Sequence, residues 1–320
     1  MSSTAHWDSY WLGSGSLNSF GEGEAAKGYE GELLAFWHNC FTQLPQDAVV
    51  LDVGTGNGAI AMAARKYSDS QQHNYTIYGT DAAKIEPLRA FAASPEIAGL
   101  LQTITFYPEC KTEELPFADA SVDLVTSQFA FEYAERTAAL NECLRVLKPG
   151  GRFTAIMHHA DSDIAKDSAA GLAVLTAFLQ DSSFFQQAAI LLKCMAEQAR
   201  APAKPELAEL TQQANQQLLT NAQQIKLKVP EDVMHWYNDV MARVAKLIIN
   251  FSVASISNLG VEQQNLAAFC QRLRDQQLAA MPAEGAATLR QQLTKTGVTY
   301  QLAELTIENQ LFGWILKIQK

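Results

Sequence analysis

Cysteine is scarce in this sequence and never occurs in the short spacings of redox or zinc motifs. Cys40, Cys110, Cys143, Cys194 and Cys270 are scattered, odd in number and free of any CxxC pair. That pattern reads as reduced, mostly packed thiols in a cytoplasmic protein. No stretch reaches the ~18 uncharged apolar residues that a membrane span requires, so no membrane partner is expected. Met1 to Tyr10 lacks a basic segment followed by an apolar one, so no secretory signal is expected either. Clustered positive charge is missing too. The formal net charge is −10 and the densest basic cluster is Lys226 with Lys228, which disfavours nucleic acid and other polyanions as partners. Metal-ligand spacing is also lacking. His158 and His159 are adjacent, and neighbours in a strand point to opposite faces, while His235 is distant in sequence.

Apolar material, by contrast, is abundant. Of the 320 residues 48% are hydrophobic, enough for one large domain or two modest ones. Three aromatics, Trp7, Tyr10 and Trp11, precede a stretch rich in Gly and Ser. Glu30 to Leu44 has helical spacing, with Leu33, Leu34, Trp37 and Phe41 on one face. From Ala48 to Val53 runs a buried strand, followed by a tight turn over Gly54 to Gly58 and a helix over Ala59 to Tyr67. The alternation continues with strands at Tyr75 to Gly79, Ile104 to Tyr107, Val122 to Thr126 and Arg152 to Met157. Helices fall at Ile85 to Ala93 and Ala138 to Leu147. Such alternation implies right-handed crossovers and a mostly parallel sheet. Beyond Ala160 the strand signal disappears until Thr299. Within that stretch Val233, Trp236, Tyr237, Val240, Val244, Leu247 and Ile248 step by three and four, as an amphipathic helix does. Two final strands, Thr299 to Ile307 and Phe312 to Ile318, joined by Glu308 to Leu311, read as an antiparallel pair. The expected division is therefore an amino-terminal cap segment with the first helix over residues 1–47, a core over 48–159 and 297–320, and a helical insertion over 160–296.

The densest signal is Val49 to Gly58, which reads V-V-L-D-V-G-T-G-N-G. A buried strand ends in an acid, Asp52, and glycines alternate at Gly54, Gly56 and Gly58, with Thr55 between the first two, before a helix. Glycine permits a sharp turn and the close approach of a ligand, the helix start offers free N–H groups, and an acid at the strand end holds a cationic amino group. Asp81 follows the second strand, where a carboxylate accepts hydrogen bonds from ribose hydroxyls. These features point to a nucleoside but do not separate a dinucleotide from an adenosyl ligand.

The separation comes from two further segments. Leu115 to Val125, L-P-F-A-D-A-S-V-D-L-V, and Glu142 to Phe153, E-C-L-R-V-L-K-P-G-G-R-F, together with the glycine turn resemble class I S-adenosylmethionine-dependent methyltransferases. The likeness is to the small-molecule branch typified by the ubiquinone/menaquinone C-methyltransferases, and it covers residues 48–157 and the last two strands. The resemblance implies an α/β, Rossmann-like, seven-stranded, mostly parallel sheet with an antiparallel last strand, and S-adenosylmethionine as cofactor. It assigns the methionine moiety to Asp52 and the Gly54 and Gly56 backbone, and the ribose to Asp81. Adenine normally meets an acid after strand three. Lys111 stands there, so Glu109 or Glu113 is the substitute, or Thr112 contributes its backbone. The segment carrying Tyr10 and Trp11 covers the cofactor in this fold, and a sulfonium is attracted to aromatic faces; ordinary packing of a docking segment is the alternative.

Ser127 to Tyr133 follows strand four and faces both ligand and acceptor in this fold. It lacks the Asn/Asp-Pro-Pro-aromatic tetrapeptide of enzymes that methylate amino groups of nucleic acid. Ser127 and Gln128 are assigned to the methionine end or the methyl site, against the alternative that the loop merely packs. Tyr133 and His158, the latter at the end of strand five, are the catalytic candidates, His158 as a general base; a capping role is its alternative. Methyl transfer needs alignment and exclusion of water more than acid–base groups. Two readings stay open. One is an enzyme acting on an O, N or C nucleophile of a small molecule, with the insertion as a substrate cap. The other is a non-catalytic cofactor-binding or assembly protein whose insertion is a homodimer or partner interface.

Overall fold

Runs of β-branched and apolar residues make the strands, and glycine, proline and asparagine set the turns between them. The computed structural model describes residues 4–19, 28–180 and 182–320; parts of the amino-terminal cap segment, residues 1–3 and 20–27, lie outside the described residues. The chain order is α1 (Ala5–Gly13), α2 (Gly31–Phe41), β1 (Val49–Val53), α3 (Ala59–Ser70), β2 (Thr76–Thr80), α4 (Pro87–Ala90), α5 (Pro95–Leu101), β3 (Thr105–Tyr107), β4 (Val122–Gln128), α6 (Arg136–Val146) and β5 (Leu147–Met157). There follow α7 (Asp163–Gln180), α8 (Ser182–Arg200), α9 (Pro205–Lys226), α10 (Met234–Ile249), α11 (Ser255–Ala279), α12 (Ala283–Thr296), β6 (Thr299–Ile307) and β7 (Gln310–Gln319).

The seven strands form one sheet in the order β3-β2-β1-β4-β5-β7-β6. Strands β1 to β5 are mutually parallel, and β7 runs antiparallel to both β5 and β6. Order reverses between β1 and β4, which opens a crevice beyond their carboxyl ends. Both faces of the sheet are covered. Leu51, Val53 and Val125 share a core with Leu140 of α6 and Leu289 of α12, while Val50, Leu124 and Ile156 share one with Trp37 of α2 and Ile60 of α3. Burial on both faces is why these strands read as continuous apolar runs.

The expected helix over Ile85 to Ala93 shortens to α4, which ends at Ala90, and α5 follows it from Pro95. Pro95 keeps Ser94 out of the helical region (φ −120°, ψ 84°), so the chain breaks there and restarts. The last two strands are joined more tightly than expected, with Glu308 and Asn309 at φ 51° and 64° between Ile307 and Gln310, the last register pair of the hairpin. Positive φ at both central positions is the geometry of a type I′ turn, which suits the strand twist. Asparagine tolerates it, whereas glutamate is strained by ~1–2 kcal/mol. Glu308→Gly is therefore expected to raise stability by roughly 0.5 kcal/mol, after the entropy glycine adds to the unfolded chain. Chemical denaturation checks this, and an unchanged or lower midpoint would contradict it.

Two compact units make up the chain, Met1–Ala165 with Asp275–Lys320, and Lys166–Arg274. The second is helical around its own core of Leu175, Phe178, Phe184, Leu192, Tyr237 and Val240. The apolar stripe of α10 lies in that core, with Val244 buried and Leu247 and Ile248 half-buried. Residues 275–296, grouped with the insertion on sequence grounds, belong to the sheet unit. Among the described residues no helix is long and apolar enough to cross a membrane.

Candidate cofactor and acceptor site

The turn after β1 is held by its own acid and by that of β2. Asp52 is buried, and its Oδ2 and Oδ1 accept hydrogen bonds from the hydroxyls of Thr55 (2.7 Å) and Thr126 (2.9 Å). Burial pushes its carboxyl up from the ordinary 3.8 to about 7, the two hydroxyls opposing. Asp81 follows β2. Its Oδ2 accepts from the Gly56 amide and its Oδ1 from the Ala83 amide, both at 2.8 Å. Burial raises it to about 6, the two amides opposing. Two buried carboxylates held above their ordinary range favour a ligand that brings positive charge and hydroxyl donors. Gly54 has φ +66°, and a Cβ there would lie 2.1 Å from Cβ of Ala130. The loops after β1 and β4 approach too closely for any side chain at that position.

These groups open onto a cavity of about 530 Å³ whose wall includes Asp52, Gly54, Thr55, Asp81, Thr112, Glu113, Gln128, Tyr133 and Trp11. Lys111 is in the wall as well, and Glu109 is not. Glu113 already accepts the Glu135 amide (2.8 Å) through Oε1. Five expected residues stand behind the wall. Gly56 is tied to Asp81, and Gly58 caps α3 at φ 96°. Ser127 Oγ accepts the Phe131 amide (3.1 Å), Tyr10 donates its hydroxyl to the Asn18 carbonyl (3.1 Å), and His158 is buried.

The segment after β4 carries the most polar chemistry. Trp37, whose indole can only donate, gives its N–H to Gln128 Oε1 (2.7 Å). This fixes the amide orientation and leaves Gln128 Nε2 buried without a partner. Glu132, in the single helical turn Phe131–Tyr133, is also part of the wall. Its Oε1 accepts from both the backbone N–H (2.7 Å) and Nδ1 (2.6 Å) of His158, so that ring nitrogen carries the proton. The His158 ring stacks on Phe129 at 4.2 Å. His159 faces away and stacks on Trp314 at 4.5 Å. Burial, with Glu132 and Asp275 adding to it, holds the Tyr133 phenol well above its ordinary value, which suits a hydroxyl donor rather than a base.

Helix α1 walls the cavity from the other side. Trp7 meets Tyr133 edge-on at 5.8 Å, and His6 pairs with Asp275 at 2.6 Å. Asn57 donates to the carbonyls of Trp11 (3.0 Å) and Ser16 (2.9 Å), which binds this segment to the glycine turn. Reading of the sequence missed Glu132, His6, Asp275 and Asn57. Glu132 sat in plain view within an aromatic loop that ends a strand, the one local signal available.

Comparison with known proteins agrees with this geometry. Residues 51–155 match the family model described as methyltransferase domain. The dimethylglycine N-methyltransferase of Parasynechococcus marenigrum is 37% identical over 111 residues, 34% of this chain and 37% of that protein. The ubiquinone/menaquinone biosynthesis C-methyltransferase of Brucella anthropi is 38% identical over 104 residues, 32% of this chain and 38% of that protein. The chain thus spans well under half the length of these curated relatives. A solved S-adenosylmethionine-dependent methyltransferase from Aquifex aeolicus is 22% identical, covers 39% of this chain and 65% of that one, and has a TM-score of 0.32. Sheet order, glycine turn and family match agree in placing a methyltransferase domain over residues 51–155.

Proposed function

We propose that the chain transfers a methyl group from S-adenosylmethionine to a small molecule held in the cavity beside Tyr133. The observation that carries this reading is the convergence of Asp52, Asp81 and Gly54 on one cavity. The residues present fit the cofactor. Asp52, buried and lacking a cationic partner in its hydrogen-bond set, suits the amino group. Each Asp81 oxygen holds one backbone amide and keeps a lone pair for a ribose hydroxyl. Gln128 Nε2 is a bare donor for an oxygen at the methionine end or on the acceptor. When bound, the cofactor supplies an activated methyl on a good leaving group. The protein aligns the acceptor, excludes water and closes the aromatic wall of Trp7, Trp11 and Tyr133 over the site.

Calorimetry is the test. S-adenosylmethionine and S-adenosylhomocysteine are expected to bind in the micromolar range, ~8 kcal/mol. Asp81→Ala should lose ~1–3 kcal/mol for both, because it removes the ribose acceptor and strands the Gly56 and Ala83 amides. Binding of NADH with no response to either adenosyl ligand would overturn the reading.

A further inference from the structure

Glu132 is not explained by cofactor binding. Its side chain is only 2% exposed. One oxygen is doubly occupied by His158, and Oε2 is the one buried carboxylate oxygen without a hydrogen-bond partner among the described residues. A buried carboxylate oxygen left bare is unfavourable, more so than a neutral group. Glu132 is part of the cavity wall, next to Phe129 and Tyr133, with Oε2 itself covered just beneath that surface. The other wall acids are engaged: Asp52 by two threonines, Asp81 by two amides, Glu113 by the Glu135 amide and Asp275 by His6. His158, the base expected from sequence, does not reach the wall.

We propose that Glu132 is a catalytic residue that accepts the proton of a nitrogen or oxygen nucleophile, with His158 as the positioning residue that holds its other oxygen. This rests on the methyl-transfer reading above. The nucleophile's lone pair forms the bond to the methyl carbon. The methyl–sulfur bond breaks and leaves its pair on sulfur. The proton shed by the nucleophile passes to Glu132 Oε2 and later to solvent. The acceptor class is therefore a small aromatic or apolar molecule whose reacting nitrogen or oxygen bears hydrogen. An aromatic body fits Trp7, Phe129 and Tyr133, and the hydrogen pairs the bare oxygen. An acceptor without that hydrogen leaves Oε2 unpaired and is discriminated against.

Three probes separate the cases: phenethylamine for N–H, 4-ethylphenol for O–H, and N,N-dimethylphenethylamine, which has neither. Each is titrated into the full chain loaded with S-adenosylhomocysteine, with tryptophan fluorescence as readout. Each is also incubated with S-adenosylmethionine, with release of S-adenosylhomocysteine as readout. At least one hydrogen-bearing probe should bind tenfold or more tighter than the dimethyl probe and be methylated, and whichever binds identifies nitrogen or oxygen as the source. Glu132→Gln should lower that rate by ~10²–10⁴-fold and probe affinity at least tenfold, while S-adenosylhomocysteine affinity stays within twofold. Glu132→Asp, with the same readouts, should fall between and serves if the glutamine variant fails to fold. His158→Asn, which keeps a donor for Oε1, should retain more rate than His158→Ala. Wild-type behaviour of Glu132→Gln, equal binding of the dimethyl probe, or binding of neither hydrogen-bearing probe would overturn the proposal. Failure of the wild-type chain to bind S-adenosylhomocysteine would instead overturn the cofactor reading beneath it.

Discussion

S-adenosylhomocysteine should bind at least tenfold more tightly at pH 8 than at pH 6, with the gain levelling off above pH 7. In the ligand-free protein the Asp52 carboxyl titrates at about 7 and Asp81 at about 6, both raised by burial. An ammonium group pairs only with the ionised form of Asp52, so the complex holds fewer protons than the free protein. Affinity then climbs up to tenfold per pH unit below the free-state pKa of Asp52, and more steeply below that of Asp81. Calorimetry in two buffers of different ionisation heat should count about one proton released near pH 6.5. Asp52→Asn removes this proton and the negative charge together. It should weaken binding at pH 8 by well over tenfold and flatten the profile above pH 6. The same shifts predict the stability of the ligand-free protein. Folded values above the unfolded ones mean stabilisation that is fully present below about pH 4 and is lost as pH rises through 6 and 7. For Asp52, an increase from 3.8 to about 7 corresponds to ~4 kcal/mol. A binding profile flat from pH 5.5 to 8 would show that Asp52 does not meet a cation.

The contrast between Asp52 and Glu132 shows what local sequence encodes here. Strand, acid, glycine turn and helix follow one another within ten residues, each stage carried by its own propensity, so this end of the cavity wall was readable from Val49 to Gly58. The sheet was readable for the same reason, since strands buried on both faces leave uninterrupted apolar runs. Glu132 acquires its meaning from His158, 26 residues away, and Asp275 from His6, 269 residues away. No period or spacing reports such pairs. Helix α12 shows a related blind spot. Its stripe of Ala286, Leu289 and Leu293 says that the helix is buried on one side, but not that the core it meets is that of the sheet. The break between α4 and α5 was in principle legible, because Pro95 makes Ser94 a poor helical residue whatever the surrounding pattern.

Gly56 is the position where the sequence argument and the structure assign the same residue different work. A Cβ at Gly56 does not enter the ligand's space. It lies 2.5 Å from the Trp11 ring, and Trp11 packs with Ala83 and Ile85 under α1. Gly56→Ala should therefore act in two separable ways. The backbone at φ +54° is strained by ~1–2 kcal/mol for any L side chain, and that part appears in stability alone. The clash displaces Trp11, loosens the wall it forms and weakens S-adenosylhomocysteine by tenfold or more. Trp11→Ala alone removes one aromatic face and should reduce affinity less than the clash does. In the Trp11→Ala background, Gly56→Ala should cost only its backbone strain and leave affinity nearly unchanged, so the double-mutant cycle yields a coupling of ~1 kcal/mol or more between these residues. Additive effects on affinity would mean that Gly56 serves the ligand directly, through its Asp81-bound amide, and that the contact with Trp11 is incidental. Coupling would show that it is Trp11, not the ligand, that keeps position 56 free of a side chain.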